Sequence, residues 1–286
     1  MNFVHEEIHP ADNSKKQAGI NMMKFFIPWI MICFLMAPVP ETYAAPLQKE
    51  EKELVFESPE RLFSMADSTI DILHIADEDE YQLEWEGRLE TREPCETLQV
   101  KTLLFEDGYV KESSTAWAEQ RSQLASVKQT ASEDTSRYDV ISYFAVKDAP
   151  VFSFDWDEAE LYVLDTPMTD LHSFKEAKSR EEQKAKQMID TIIRQQQSHI
   201  KRIIRDKKDL SEETKLFALN DRKQWKAIMA SSILSPSVLE DVWLDIFHKL
   251  VEETDKHNTT EKKGMPFVGW DQHHKKLTLY IHYGKA

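Results

Sequence analysis

Ten residues in the first third of the chain restrict its fold more than any others. From Tyr81 to Glu90, Tyr81, Leu83, Trp85, Gly87 and Leu89 alternate with Gln82, Glu84, Glu86, Arg88 and Glu90. Successive side chains on a strand point to opposite faces, so this alternation is that of a strand with one covered face and one wet face. The chain must therefore contain a sheet, and other segments must supply its partner strands and its cover.

Partner strands are expected downstream. Tyr138 to Val146, Val151 to Trp156 and Glu160 to Leu164 read as a three-stranded meander, with Lys147-Asp148-Ala149-Pro150 and Asp157-Glu158 as turns. In the second of these strands Phe152, Phe154 and Trp156 share one face, and Ser153 and Asp155 the other. Residues 94 to 108 fit two patterns. Pro94 can open a helix that Gly108 closes, or Leu98, Val100, Thr102 and Leu104 can alternate as a strand; we favour the helix. Ser58-Pro59-Glu60 carries the signals of a helix start, and Leu62, Met65, Ala66, Thr69, Ile70 and Leu73 follow at helical spacing. A weaker helix is expected over residues 113 to 129 on Trp117, Ala118, Leu124 and Val127.

From Phe174 the apolar spacing turns helical. Ile189, Ile193, Gln196, Ile200 and Ile203 fall on one seam of a long helix reaching Lys207, with Ile192 and Ile204 widening the stripe. Ser211-Glu212-Glu213 starts a second helix carrying Leu216, Phe217, Trp225, Ile228 and Met229. A capping box from Ser237 to Glu240 starts a third, with Leu239, Val242, Trp243, Ile246, Phe247 and Leu250. A hairpin, Phe267 to Trp270 and Leu277 to Tyr283, turns at Asp271 to Lys275 and returns to the sheet. The expected fold class is α+β: an antiparallel sheet with an inserted helical section of three helices before the C-terminal strands. Its parts are residues 1–45 as a signal peptide, 46–57 as a charged linker, 58–173 as an α+β region, 174–262 as the helical section and 263–286 as the returning hairpin. The isoleucine seam is expected to dock on the protein's own sheet, with a partner helix as the alternative.

Location is read from a separate segment. Met22-Met23-Lys24, the apolar run Phe25 to Pro40, and Thr42-Tyr43-Ala44-Ala45 make the three parts of a secretory signal peptide. The run is about 16 residues, short of the roughly 20 that cross a hydrocarbon core. Pro38 and Pro40 break helix ahead of the cleavage point. Cleavage near Ala44 or Ala45 is expected, with an uncleaved N-terminal membrane anchor as the alternative. The residues before Met22 match no targeting element, which puts the expected start of translation at Met22 or Met23. Cys33 follows Ile32 rather than a small residue, against a lipoprotein attachment site.

Removing the leader leaves about 240 residues, one large domain or two small ones. The formal net charge is −15, and the mature part keeps about −14 of it. Such a surface repels nucleic acid and anionic lipid. Cys95 is then the only cysteine, which excludes an intramolecular disulfide and a Cys-built metal site. A secreted chain of this size without disulfides fits a Gram-positive bacterium. The order of elements at the N-terminal end, together with the strand Leu83-Glu84-Trp85-Glu86-Gly87-Arg88-Leu89, resembles the YwmB-like secreted proteins of Bacillus. The resemblance covers roughly 100 residues. It implies a small extracytoplasmic protein and brings no functional residue with it; the helices after Phe174 have no counterpart there.

Glycine supplies the clearest exclusion. Only Gly87, Gly108, Gly264, Gly269 and Gly284 lie beyond the leader, and no G-x-G-x-x-G, P-loop or G-x-S-x-G motif occurs. Nucleotide-cradling loops and nucleophile elbows are thereby excluded. Asp271, His273, His274 and His282 form the densest set of potential zinc or copper ligands. Neighbours on a strand point apart, so the His273 and His274 pair, beside Lys275 and Lys276, is read as a solvated turn. Asp155, Asp157, Glu158 and Glu160 offer oxygens to calcium but lack EF-hand spacing, and are read as a polar hairpin tip. Trp85, Trp156, Trp225, Trp243 and Trp270 are read as core, with a platform stacking on carbohydrate or peptide as the sharper alternative.

These readings assign no catalytic, cofactor-binding or metal residue. The expected function is that of a secreted or cell-envelope protein acting without catalysis, through protein or wall-polymer contacts. It would touch the membrane only through its N-terminal segment, if that stays uncleaved. The alternative is an extracytoplasmic hydrolase using scattered carboxylates or the His273/His274 region. A concave site gathering titratable groups separates the two, its presence favouring the enzyme.

Overall fold

The strand expected at Tyr81 to Glu90 is present, as one end of a much longer one. The structure, a computed structural model, describes residues 4–8, 55–56, 62–75, 80–133, 135–166, 169–221, 223–224, 227, 246–250, 262–271, 273 and 276–285. All of them fall in one compact unit, and residues 11–52 form a second unit outside the described residues. In chain order the strands are β1 (Val4–Ile8), β2 (Val55–Phe56), β3 (Phe63–Ile75), β4 (Glu80–Glu106), β5 (Tyr109–Glu133), β6 (Ser136–Asp148), β7 (Val151–Thr166), β8 (Thr169–Phe174), β9 (Thr214–Ala218), β10 (Lys262–Asp271) and β11 (Lys276–Lys285). The long helix α1 (Arg180–Lys208) lies between β8 and β9, and residues 246–250 form a helical turn.

The strands join in the order β1-β11-β10-β5-β4-β6-β7-β2, with β3 on β4, β8 on β7 and β9 on β10. Two pairings are parallel, β1 on β11 and β2 on β7; the others are antiparallel. β4 and β5 make a hairpin whose two-residue turn is Asp107-Gly108, with φ of 51° and 88°. Asp-Gly suits a turn with both central residues left-handed, which matches the twist of the flanking strands.

This ribbon does not lie flat. Halfway along, β4 bulges between Glu90 and Cys95, opposite Gln123 and Arg121 of β5. Thr91 Oγ1 donates to Glu93 O at 2.7 Å within the bulge, and Gln120 of β5 takes a φ of 52°. Such a bulge bends a strand pair and accommodates a proline, here Pro94. The two halves of the ribbon then lie face to face. Ser114 Oγ meets Ser126 Oγ at 2.6 Å, and Lys128 Nζ donates to Ser113 O at 3.2 Å.

Three layers result. The outer one is β3 with residues 80–90 of β4 and 121–133 of β5. The middle one is the remainder of β4 and β5 with β6 and β7. Between them Ile70, Leu83 and Trp85 pack on Leu104, Val140 and Leu161, and Phe63 and Leu89 on Leu98, Val100 and Phe144. On the far side of the middle layer, Leu103, Ile141 and Tyr143 meet Val268, Leu279 and Ile281, with Ile246 and Phe247. β6 is therefore buried on both faces, which explains its unbroken run from Tyr138 to Val146. The third layer is β9, β10 and β11, and helix α1 packs on it and on the edge of the middle layer, placing Ile200 and Ile204 on Phe267 and Tyr280, and Ile189 and Ile193 on Tyr162 of β7 and Phe174 of β8.

Several expectations need correction. The fold is a mostly antiparallel β structure, not an α+β fold with three inserted helices. The helix expected after Ser58 is β3 from Phe63 onward, where Ser68 and Ile70 are buried between exposed Asp67 and Asp71. Bulges at both ends of β3 break the period of two, and the shifted apolar positions imitate a helix. Residues 94–108 continue β4, and Gly108 belongs to the hairpin turn rather than to a helix end. Residues 113–129 are β5, with Trp117 and Val127 exposed at 66% and 51%. Their alanines and glutamines favour helix, and pairing with β4 along the whole length overrides that preference.

The meander is a pair, since β7 runs unbroken through Asp157 and Glu158. The long helix begins at Arg180, because Ser179 and Glu182 form a capping box, and it ends where Asp209 turns left-handed. Its seam docks on the protein's own sheet; Ile204 is fully buried, whereas Ile192 is exposed. The start of the second expected helix, Leu216 and Phe217, lies in β9. Trp225, Ile228, Met229 and residues 237–245, like residues 9–54, lie outside the described residues, whereas residues 4–8 of the expected leader form β1. The C-terminal hairpin is β10 and β11, and it meets the sheet where Gly264 pairs with Val110.

Gly87 lies where the outer and middle layers come close together. A Cβ there would stand 2.6 Å from Thr102 Oγ1 and 2.7 Å from Ser142 Oγ. Gly87→Ala is expected to lower unfolding stability by about 1–3 kcal/mol, as overpacking does, measured as a shift in denaturation midpoint. An unchanged midpoint contradicts the close stacking of the two ribbon halves.

Candidate functional site

β6 and β7 pair with Arg137 opposite Tyr162 and Asp139 opposite Glu160. Residues two apart on a strand share a face, so these four polar side chains form a square on the middle layer. Helix α1 lays Lys186 and Asp190, one turn apart, onto that square. Arg137 is its hub: Nη2 donates to Asp139 Oδ1 at 2.6 Å and Nη1 to Asp190 Oδ1 at 3.1 Å, with Glu160 3.6 Å away. Asn220 Nδ2 donates to the second oxygen of Asp139 at 2.8 Å. Tyr162 donates to Asp190 at 2.9 Å and accepts from Lys186 Nζ at 2.6 Å. Lys186 also reaches Glu160 at 2.9 Å.

Above this square is a cleft of about 480 Å³, whose rim adds Arg194, Gln197, Asp221 and Lys223. Burial alone would lower the pKa of Arg137, but Asp139, Tyr162 and Glu160 outweigh it and hold the guanidinium charged. Burial pushes the Asp139 carboxyl up, against the pull of Arg137 and Asn220. The guanidinium at hydrogen-bond distance favours the carboxylate form against that push.

A second cluster forms at the β4–β5 turn. Glu106 accepts from Lys111 Nζ at 2.8 Å, from Ser132 at 2.9 Å and from Tyr138 at 3.0 Å, and Lys263 of β10 closes on its other oxygen. Tyr138 meets Tyr81 at 2.7 Å, so one hydrogen-bonded chain runs from Tyr81 of the outer layer through Tyr138 and Glu106 to Lys263 of β10. Burial opposes ionisation of Glu106, but Lys111 and Lys263 outweigh it and hold the carboxyl at about 2. Burial pushes the Tyr81 hydroxyl up to about 12. A cleft of about 750 Å³ opens here, reaching Asp107, Tyr109 and Gln196.

The residues singled out from sequence are dispersed. His273 is exposed, and its backbone N–H donates to Asp271 Oδ1 at 3.0 Å; His274 lies outside the described residues. His282 is half-buried on β11, with Nδ1 buried and without a hydrogen-bond partner. Among the described residues no three His, Cys, Asp or Glu side chains gather as metal ligands. The acidic stretch of β7 is divided between faces: Asp157 accepts from the Ser68 N–H at 2.8 Å on the outer-layer side, and Glu160 joins the cleft. Trp85 and Trp270 are core, as expected, and Trp156 packs on it half-buried. Cys95 is buried, and burial pushes its thiol up, which leaves it a poor nucleophile.

Sequence reasoning missed Arg137, Asp139, Tyr162, Asp190, Glu106 and Lys263. Local spacing held part of the signal, in Arg137 with Asp139 and in Lys186 with Asp190. Pairings over 50 residues or more, such as Arg137 with Asp190, held none. Among the described residues no helix is long and apolar enough to cross a membrane.

No family model matches the chain, and no curated protein matches its sequence. Among solved structures, Bacteroides uniformis beta-glucuronidase aligns with 32% of this chain and 12% of its own at 12% identity and TM-score 0.26. A calcium binding mutant of Bacteroides uniformis beta-glucuronidase 2 aligns with 34% of this chain and 13% of its own at 13% identity and TM-score 0.26. A protein from Archaeoglobus fulgidus aligns with 40% of this chain and 98% of its own at 6% identity and TM-score 0.23. Likenesses at these scores carry no argument about fold or activity.

The Glu106 cluster makes a pH prediction. Its carboxyl is held at about 2 in the fold, against about 4.3 in an unfolded chain. Its contribution to stability is complete above about pH 4.3 and is lost as pH falls toward about 2. Urea midpoints of the native protein should therefore drop more steeply across that window than those of Glu106→Gln. Parallel curves contradict the assignment.

Proposed function

We propose that the chain is an exported cell-envelope protein that binds a polar ligand, a wall-polymer segment or a peptide, without catalysis. One observation carries the reading. In the Arg137 cleft the floor carboxylates Asp139, Glu160 and Asp190 each face a cation or hydrogen-bond donor of the fold itself. A carboxylate bound in this way supports a shape and offers little as a general acid or base. The rim groups Arg194, Gln197 and Lys223 supply donors for a ligand with many acceptors. Export follows from the Met22 to Ala45 segment. Cleavage near Ala44 also takes β1 away from the edge of β11.

A hydrolase is the second reading, favoured by the gathering of titratable groups in concave clefts and by the upward push on Asp139. One experiment separates the two. Purified protein is mixed with cell walls of the producing organism, and both cosedimentation and release of soluble sugar or peptide are followed. Binding without release, weakened by a combined Arg194→Ala and Lys223→Ala variant, is the expected result. Release that Asp139→Asn abolishes contradicts the proposal. So does a cellular protein that retains Phe25 to Pro40 in the membrane fraction.

A further inference from the structure

The outer layer ends at β5, and its outer half has an open edge. β5 pairs with β4 along its whole length and with β10 only at Val110. Among the described residues no strand lies on the other side of residues 121–133. An edge of this length presents a row of backbone donors and acceptors, which proteins usually blunt with charge, proline or cover. Between Arg121 and Glu133 there is no proline, and the one charged side chain, Lys128, turns inward to Ser113 O at 3.2 Å and Glu112 at 3.5 Å. The outward row is Gln123, Ala125, Val127, Gln129 and Ala131, all uncharged and exposed.

We infer that the Arg121–Glu133 edge of β5 pairs with the same edge of a second copy of this chain, antiparallel and centred on Val127. Charge selects that occupant. In this register Val127 faces Val127 across the two-fold axis, Ala125 faces Gln129, and Arg121 faces Glu133 at both ends. All of these side chains lie on the same exposed face. Opposite charges directly across a strand pair stabilise it, and a two-fold axis repeats each contact. The edge is otherwise neutral on a chain of net charge −15, so the acidic surface around it is kept out of the contact. β3, the other side of the outer layer, does not qualify: it exposes Asp67 and Asp71, which self-pairing would set near their own copies. The product is one outer sheet continuous across two molecules, running β3-β4-β5 into β5-β4-β3.

Analytical ultracentrifugation of the purified protein over a range of concentrations tests the pairing. A reversible dimer is expected. Val127→Lys and Arg121→Glu should each raise its Kd by on the order of tenfold, and Arg121→Glu combined with Glu133→Arg should restore it. The substituted side chains are exposed, so at concentrations low enough for the monomer to prevail the variants should unfold thermally like the native chain, which separates lost pairing from lost folding. A protein that stays monomeric throughout, or a dimer indifferent to Val127→Lys, overturns the proposal. A dimer weakened by Val127→Lys but not by Arg121→Glu overturns the Val127-centred register.

Discussion

The β4–β5 ribbon folds back on itself, and the rest of the molecule is arranged around that fold-over. Its two halves come close because the facing residues are small: Ser114 on Ser126, and Gly87 over Thr102 and Ser142. With the halves closed, Trp85, Leu83 and Ile70 are removed from water against the middle layer. Each large apolar side chain so buried contributes about 1.5–3 kcal/mol. The closure also carries polar atoms inward, and most of these are matched. Trp85 finds Thr130, Thr102 finds Ser142 at 3.1 Å, and the Ser68 N–H finds Asp157, whereas Ser68 Oγ is buried without a partner.

That closure also sets where charge can sit. The middle layer carries an apolar cluster on each face, and its ionised groups gather near the β4–β5 turn and the adjoining ends of β6 and β7. There helix α1 and β10 approach without fully covering the sheet, and ionised groups meet at the seam. Arg137 is common to the arrangement: its side chain holds Asp139 and Asp190, and its backbone N–H donates to Asp107 of the turn at 2.9 Å. Removing one partner from such a buried set leaves an uncompensated charge, which costs far more than the set contributes when intact. The Arg137 cleft is therefore built on a floor of mutually paired charges, with Arg194, Gln197 and Lys223 at its rim.

The sequence disclosed those elements whose pattern survives locally. Tyr81 to Leu89 alternates because one face of the outer layer is wet, and the isoleucines of α1 recur at helical spacing because one side of the helix is covered. β3 and β5 were misread for opposite reasons. Bulges in β3 displaced its apolar positions, and β5 faces its own folded half with serines and alanines instead of a greasy stripe. The turn at Asp107-Gly108 carried a local signal, an Asp-Gly pair between apolar runs, yet Gly108 was read as a helix end. The candidate site was almost illegible, since Glu106 and Lys263 are 157 residues apart and meet only through the sheet topology.

A disulfide placed across the fold-over tests the account most directly. The Ser114 and Ser126 hydroxyl oxygens lie 2.6 Å apart, close to the roughly 2.05 Å of a sulfur–sulfur bond. In a Ser114→Cys, Ser126→Cys chain with Cys33→Ala and Cys95→Ala to remove the native thiols, mild oxidation should link the two new cysteines within one molecule. Mass spectrometry should then find the loss of two hydrogens and a single crosslinked peptide pair. Two free thiols under the same conditions, or linkage only between molecules, would show that the ribbon does not fold back on itself.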